Sequence, residues 1–146
     1  ILRAPGIYAA ERLPVERLRE RVPALVATED VFTNHIHADD LARSVWLSMF
    51  RARPNRVLNI VDDASLKMGE YFDAVADSLG LPHAPRMTRG ELAQHVTPMM
   101  MSFMNESRRI GNARMKRELL IRLQFPSPQS MLATMKAEAA LQRSLI

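Results

Sequence analysis

The stretch Asn34-His35-Ile36-His37-Ala38-Asp39-Asp40-Leu41-Ala42 is followed about fifteen residues later by Val57-Leu58-Asn59-Ile60-Val61-Asp62-Asp63, and these two segments decide the fold. The first segment predicts a short strand that runs into a capped helix. The second is a nearly all-apolar run, which is typical of a parallel strand covered on both faces. A strand, a crossover helix and a second strand form a βαβ step, so the sequence predicts an α/β protein with parallel strands.

The crossover helix is the most regular element of the sequence. Either Asp39 or Asp40 is placed to accept hydrogen bonds from the free N–H groups at its start. Pro54 predicts that the helix ends near residues 51–53. The apolar residues recur at helical spacing and predict one buried stripe, which consists of Leu41, Ala42, Val45, Trp46, Met49 and Phe50.

The flanking segments add short elements and two predicted domains. Residues 1–3 predict a strand and residues 4–8 predict a loop. Pro14 predicts the first turn of a helix that carries Leu18, Val22 and Leu25. We expect this helix to stop or bend at Val22. Another helix is expected from Leu66 to the C-terminal turn at Gly80. Beyond it we expect helices over 89–95, 98–106, 113–120 and from Ser130, with a strand over 108–110. We therefore predict an α/β domain over 1–80 and a mainly helical domain over 81–146.

Three or four short strands are too few for a closed parallel sheet. Their edges would expose unpaired backbone groups, and the crossover helices would lack a second layer. The opening Ile1-Leu2-Arg3 is already strand-like. We therefore expect that an N-terminal half of the sheet precedes the first residue, or that a partner such as a second copy supplies the same surface.

Composition excludes several classes of protein. The 146 residues contain no cysteine, which removes disulfides, thiolate metal sites and cysteine nucleophiles and fits a reducing cytoplasm. The apolar runs are too short to span a bilayer, and no signal-peptide pattern is present, so we expect a cytoplasmic protein without a membrane partner. A net charge of only +4, with acids interleaved among the bases, disfavours nucleic acid as a partner.

Two histidines raise the possibility of a metal site. His35 and His37 are two residues apart, so on a strand their side chains share one face. With Asp39 they resemble the His-x-His-x-Asp-His motif of metallo-β-lactamase-fold hydrolases, but Asp40 stands where that motif has its last histidine. We therefore expect no metal, and a metal-dependent hydrolase that uses His35 and His37 remains an alternative.

No catalytic motif is present on these residues. Neither Tyr8 nor Tyr71 is followed by a lysine four positions later, and the sequence has no Gly-x-Gly-x-x-Gly turn. We therefore predict no catalytic residue in this chain. Two clusters have both a functional and a structural interpretation. The methionines could line a substrate pocket or simply fill the core; they are Met99, Met100, Met101 and Met104. The arginines Arg108, Arg109 and Arg114 could bind a substrate anion or form salt bridges to Glu106 and Glu118.

Four segments together resemble the C-terminal half of an extended, atypical short-chain dehydrogenase/reductase of the NAD-dependent epimerase/dehydratase family. Residues 2–8, Leu-Arg-Ala-Pro-Gly-Ile-Tyr, match the family's segment after its sixth strand, although only Arg12 remains of the usual Gly-Pro-Gly-Arg continuation. Residues 35–42 are similar to Arg-Ile-His-Val-Asp-Asp-Leu-Ala, with His35 in place of the arginine. Residues 58–63 and 107–116 resemble Tyr-Asn-Val-x-Asp-Asp and Lys-Arg-Val-Ser-Asn-x-Arg-Leu-Lys.

The resemblance implies a Rossmann-like doubly wound sheet with a small helical subdomain that closes over a small-molecule substrate. NAD or NADP would be held mainly by residues outside this chain, with Pro5 and Gly6 near the nicotinamide. Substrate contacts would come from Ala4, Tyr8, Arg12, Arg109 and Asn112. His37 and Asp40 would orient the crossover and cap its helix. A non-catalytic nucleotide sensor or scaffold of the same fold is the alternative.

Overall fold

A computed structural model of the chain describes residues 1–144 and divides it into two compact units. Unit 1 combines residues 1–12, residues 34–64 and the segment from Arg109 onward. Unit 2 combines residues 13–33 and 65–108. Each unit is therefore built from segments that are distant in sequence.

Unit 1 contains two pairs of parallel strands. Strand β1 (Leu2–Arg3) pairs with β6 (Leu58–Asn59), and β2 (Gly6–Tyr8) pairs with β5 (His35–His37). The chain crosses from β5 to β6 through helix α2 (Ala38–Arg51), as the sequence predicts. The α/β class and its parallel strands are thus confirmed. The predicted loop over residues 4–8 was wrong in its second half, because Gly6, Ile7 and Tyr8 bond to β5 as a strand.

Two more helices complete unit 1, namely α6 (Ala113–Leu119) and α7 (Pro128–Ser144). The strand expected over 108–110 is absent from the described residues, which have no regular structure there. The core of the unit lies where α2 and α6 cover the strands. It consists of Ile36, Leu58, Ile60, Met115, Leu119 and Ile121, with Leu2, Ile7, Leu41, Leu47, Ala52 and Leu123 packed around them.

Most of the apolar stripe predicted for α2 is exposed, although Leu41 packs against the core. Trp46 is 62% exposed, Met49 and Phe50 are each 69% exposed, and Val45 is 45% exposed. The buried positions of the helix are Asp40 and Ser44. Helical periodicity identifies an amphipathic helix but not the surface that covers its apolar face. We call Val45, Trp46, Met49 and Phe50 the exposed α2 face.

Unit 2 has two further strand pairs and four helices. β3 (Ala24–Leu25) is parallel to β8 (Arg86–Met87), and β4 (Phe32–Thr33) is antiparallel to β7 (Leu66–Lys67). The helices are α1 (Val15–Arg19), α3 (Met68–Leu79), α4 (Arg89–Leu92) and α5 (Pro98–Met104). Helix α3 ends at Gly80, whose φ of 66° gives the predicted left-handed turn.

The first predicted helix was too long. Helix α1 ends at Arg19, and Arg21 takes a positive φ of 52°, so the chain turns and Leu25 belongs to β3. Leu25 then forms a small core with Leu92 and Met104, against which Met68, Met87, Val96 and Met100 pack. Two of the four clustered methionines therefore contribute to this core, whereas Met99 is 73% exposed.

The predicted domains, an α/β domain over 1–80 and a mainly helical domain over 81–146, stay a prediction. The compact units do not follow that boundary, because segments from both sides of residue 80 pack together in each unit. No helix within residues 1–144 combines the length and the apolar character needed to cross a bilayer.

Candidate functional site at the carboxyl ends of the unit 1 strands

The predicted cofactor and substrate residues of the first segment lie around β2, near the carboxyl end of β1. Ala4 and Gly6 are exposed and Pro5 is half-buried, so this short stretch presents backbone to the surface. In open α/β sheets, ligands bind at the carboxyl ends of the parallel strands. The placement suits the predicted role of Pro5 and Gly6, which stays a prediction.

Tyr8 ends β2 and lies in a buried cluster rather than at the surface. Its side chain is 1% exposed, and its hydroxyl donates a hydrogen bond of 3.2 Å to the carbonyl of Phe125. Its ring contacts the edges of His37 and His35, with centroids 5.2 and 6.2 Å away. A substrate contact by Tyr8, which also stays a prediction, would require the segment around Phe125 to move.

His37 is the residue that caps helix α2. Its Nδ1 atom accepts a hydrogen bond of 3.2 Å from the backbone N–H of Asp39, and its ring packs on Phe125 at 4.1 Å between centroids. The capping role that the resemblance implies for His37 therefore matches the geometry. The capping role expected for Asp39 or Asp40 was wrong, because the chain enters the helix one residue earlier, at Ala38.

Asp40 instead connects the start of α2 to the loop before α7 through hydrogen bonds. Its side chain is fully buried and accepts hydrogen bonds of 2.8 Å from the backbone N–H groups of both Gln124 and Phe125. Arg43 adds a third bond of 2.9 Å from Nη1. The carboxylate is thus fully engaged in holding Phe125 against His37 and Tyr8.

His35 lies next to this cluster and is neutral at physiological pH. It is 7% exposed, and burial lowers the pKa of its imidazole to about 4. Burial has this effect because it penalises the charged imidazolium. Around His35 and His37, the described residues place no group of three or more histidine, aspartate and glutamate side chains that would hold a metal ion.

Asp62, which follows β6, is a titratable residue that sequence reasoning missed. Burial raises the pKa of its carboxyl to about 7, and the negative charges of Asp63 and Asp40 act in the same direction. The backbone N–H of Ala64, which donates to Oδ1 of Asp62, and the nearby hydroxyl of Tyr8 oppose that rise without cancelling it. A carboxyl that titrates near neutrality at the carboxyl end of a parallel strand is suited to exchanging a proton.

Asn112 braces the end of β6. Its side-chain amide donates to the carbonyls of Val61 and Asp62, each at 3.0 Å, and to Oδ1 of Asp63 at 2.7 Å. Asn112 precedes α6, but its side chain makes no hydrogen bond that caps this helix. Burial favours a raised pKa for Asp63, but hydrogen bonds from Asn112 and Lys116 hold that pKa below its usual value. Asn112 therefore orients the loop that carries Asp62.

Two predicted substrate residues are arginines at the surface of unit 1. Arg12 closes a 3-10 turn over Ala10–Arg12, and Arg109 begins the segment that leads to α6. Both side chains are exposed. The structure thus groups Tyr8 and Asn112 around Asp62 and places both arginines at the surface. Their substrate contacts stay predictions.

The fold of the chain is that of a half-length, Rossmann-like α/β protein. Among solved structures, a conserved protein of unknown function from Silicibacter pomeroyi is 30% identical and matches 94% of this chain with a TM-score of 0.81. The human epimerase family protein crystallised with NADPH is 16% identical and matches 93% of the chain with a TM-score of 0.72. A UDP-glucose 4-epimerase from Thermotoga maritima is 15% identical and matches 96%, with a TM-score of 0.65.

The match covers most of this chain but only part of each solved protein. The chain spans 47% of the Silicibacter protein, 47% of the human protein and 46% of the Thermotoga epimerase. It is therefore about half the length of the structures that it resembles. No protein-family model and no curated protein matches the sequence.

Proposed function

We propose that this chain is the substrate-side portion of an NAD(P)-dependent epimerase/dehydratase or oxidoreductase of the extended short-chain dehydrogenase type. The observation that carries the proposal is the match of nearly the whole chain to half of a human epimerase family protein crystallised with NADPH. The 30% identity to the Silicibacter protein, over 94% of the chain, extends that likeness to the sequence. The working protein is then a cytoplasmic enzyme that acts on a small molecule.

The residues present fit one side of a nicotinamide site. Ala4 and Gly6 are exposed beside the half-buried Pro5 at a strand end, and Gly6 has no side chain to obstruct a ring. When bound, the nicotinamide supplies or removes a hydride at a carbonyl or alcohol carbon. The chain's own contribution is to hold this backbone in place, through the β2–β5 pairing and the cluster of Tyr8 and His37.

The proposed function assigns most of the cofactor contacts to residues outside this chain. It therefore predicts weak cofactor binding by this polypeptide alone. Titration with NADPH or NADH, followed by nicotinamide fluorescence, should give no saturation below about 1 mM, because no glycine-rich turn is present to hold the pyrophosphate. Lysozyme serves as the control for nonspecific fluorescence changes. Saturable binding in the micromolar range would contradict the proposal.

A non-catalytic nucleotide sensor or scaffold of the same fold is the second candidate. The observation that favours it is that Tyr8 and Asn112, two of the predicted substrate contacts, are engaged in internal hydrogen bonds. Such a site would transmit ligand binding to the surrounding loops without chemistry. The two candidates differ in whether the complete protein turns over NAD(P)H with any carbonyl substrate.

We further propose that the exposed α2 face is covered in the working protein, by the cofactor-binding portion or by a second copy of the chain. Trp46 and Phe50 stack on each other at 5.2 Å between centroids, and both are largely exposed. Contiguous apolar surface of this kind marks an interaction site or an aggregation site.

This proposal predicts that the isolated chain self-associates. Light scattering after size-exclusion chromatography should show a mass above 16.6 kDa that rises with concentration. The double variant Trp46→Gln/Phe50→Gln should shift the distribution toward monomer, whereas Leu141→Gln, at a 64% exposed position of α7, should not. A wild-type chain that remains a well-folded monomer at all concentrations would contradict it.

A further inference from the structure

A cleft at the amino ends of the unit 1 strands is lined mainly by arginines. Its volume is about 340 Å³, and its lining residues are Arg51, Arg53, Arg56, Arg117, Glu118 and Leu120. Four arginines against one glutamate leave a formal charge of +3 on this short perimeter. The cleft lies between the end of α2, the turn into β6 and the end of α6. We call it the arginine cleft.

Arginines often occur near helix C-termini to satisfy free carbonyl groups, and one of the four does so here. Nη1 of Arg51 donates a bond of 2.7 Å to the carbonyl of Leu119. Arg56 approaches Glu118 at 3.8 Å, a distance that is too long for a hydrogen bond. Arg53 and Arg117 make no hydrogen bond or ion pair with residues 1–144. Carbonyl capping therefore accounts for Arg51 and an ion pair with Glu118 engages Arg56, which leaves Arg53 and Arg117 available.

The walls of the cleft are held in place by the backbone. Leu120, which ends α6, takes a φ of 51° although it is not glycine, and its side chain is 74% exposed. A left-handed conformation at a leucine costs free energy and is maintained only where surrounding contacts enforce it. Here the turn leaves the carbonyl of Leu119 facing Arg51. The Glu118 side chain, 10% exposed, fixes the inner wall beside Arg56.

We propose that the arginine cleft binds a small phosphorylated organic molecule, at a site separate from the candidate functional site. Guanidinium groups present forked donors that match phosphate oxygens in pairs. The volume of about 340 Å³ exceeds what a single phosphate needs and lies at the lower end of small-molecule sites. The candidate functional site lies at the carboxyl ends of the same strands, because β1 and β6 run parallel away from the cleft.

The test uses the complete chain and two probes, inorganic phosphate and fructose 1,6-bisphosphate. Calorimetric titration should show saturable binding of the sugar bisphosphate and at least tenfold weaker binding of inorganic phosphate. The Arg53→Gln/Arg117→Gln variant should weaken binding of the bisphosphate roughly tenfold or more, since it removes two guanidinium groups that would donate charge-assisted hydrogen bonds to phosphate. Arg143→Gln, an exposed arginine of α7, should change the affinity less than twofold.

Amide chemical shifts of the wild-type chain give a readout that does not depend on the variants. Adding the bisphosphate should move the signals of residues 51–56 and 117–120 and leave those around Gly6 and Asp62 in place. Equal loss of affinity in the Arg143→Gln variant, shifts spread over many arginines, or no saturation by 10 mM would overturn the proposal. So would tighter binding of duplex DNA than of the bisphosphate, because the cleft would then be part of a nucleic-acid surface.

Discussion

Replacing Asp40 by alanine should lower the free energy of unfolding by about 3–5 kcal/mol, because it removes a buried carboxylate from three donors. The backbone N–H groups of Gln124 and Phe125 would lose their acceptor, and Arg43 would lose its partner. The loop before α7 would then separate from α2. Urea denaturation followed by far-ultraviolet circular dichroism measures the change.

Asp39→Ala is the matched control for this prediction. Asp39 is the neighbouring aspartate of α2, but its side chain is 66% exposed and accepts no buried hydrogen bond. Its loss should cost no more than about 1 kcal/mol, the usual value for an acidic residue near a helix N-terminus. If Asp40→Ala lowered the free energy of unfolding no more than Asp39→Ala does, the proposed hydrogen-bonded connection between α2 and Phe125 would be wrong.

The second large effect concerns the pH dependence of stability. Burial raises the pKa of Asp62 from its ordinary 3.8 to about 7, so between these values the folded chain binds one proton more than the unfolded chain. Stability therefore falls as the pH rises through this window. Asp62→Asn removes the cost of ionising this carboxyl and should raise the free energy of unfolding at pH 8 by roughly 4 kcal/mol, with little change at pH 4.

The contribution of His35 to the pH dependence of stability has the opposite sign to that of Asp62 over part of the same pH range. Burial lowers its pKa from 6.5 to about 4, so the folded chain binds one proton fewer between these values, and stability falls as the pH drops. In the wild type the two slopes largely cancel between pH 4 and 6.5. In Asp62→Asn the Asp62 contribution is removed, so the His35 contribution should make stability rise with pH across this interval.

Denaturation at a series of pH values measures both slopes. Asp39→Asn serves as the control, since this change at an exposed aspartate of the same unit should leave the wild-type profile intact. A profile of Asp62→Asn that runs parallel to the wild type from pH 4 to pH 8 would show that the Asp62 carboxyl is ionised normally in the folded chain.

Local patterns were sufficient for strands β1, β5 and β6 and for the extents of α2 and α3, but not for β2 and β3, which were predicted as part of a loop and of a helix. The apolar run at residues 57–61 and the glycine at position 80 carry that information within a few residues. The inward face of α2 was not predictable in this way. Periodicity places Trp46 and Phe50 on one side of the helix, but whether that side is covered depends on surfaces outside the helix.

The chemistry of the candidate site depends on contacts that are distant in sequence. Asp40 looks like a helix cap because it stands at a helix start, yet its partners are 84 and 85 residues away. The raised pKa of Asp62 follows from burial beside Tyr8, which no local pattern reveals. The family resemblance singles out residues such as Tyr8 and Asn112 from the sequence alone. Their hydrogen-bond partners are identified only in the folded chain.

The interleaving of the two units constrains how this polypeptide can be shortened. The chain passes from one unit to the other after Arg12, Thr33, Ala64 and Arg108, so a cut at almost any position removes strands or helices from both. Neither unit can be produced as a single continuous stretch. A minimal version of unit 1 would need the bridging segments replaced by short linkers, and its contacts would still form slowly because they join the two ends of the sequence.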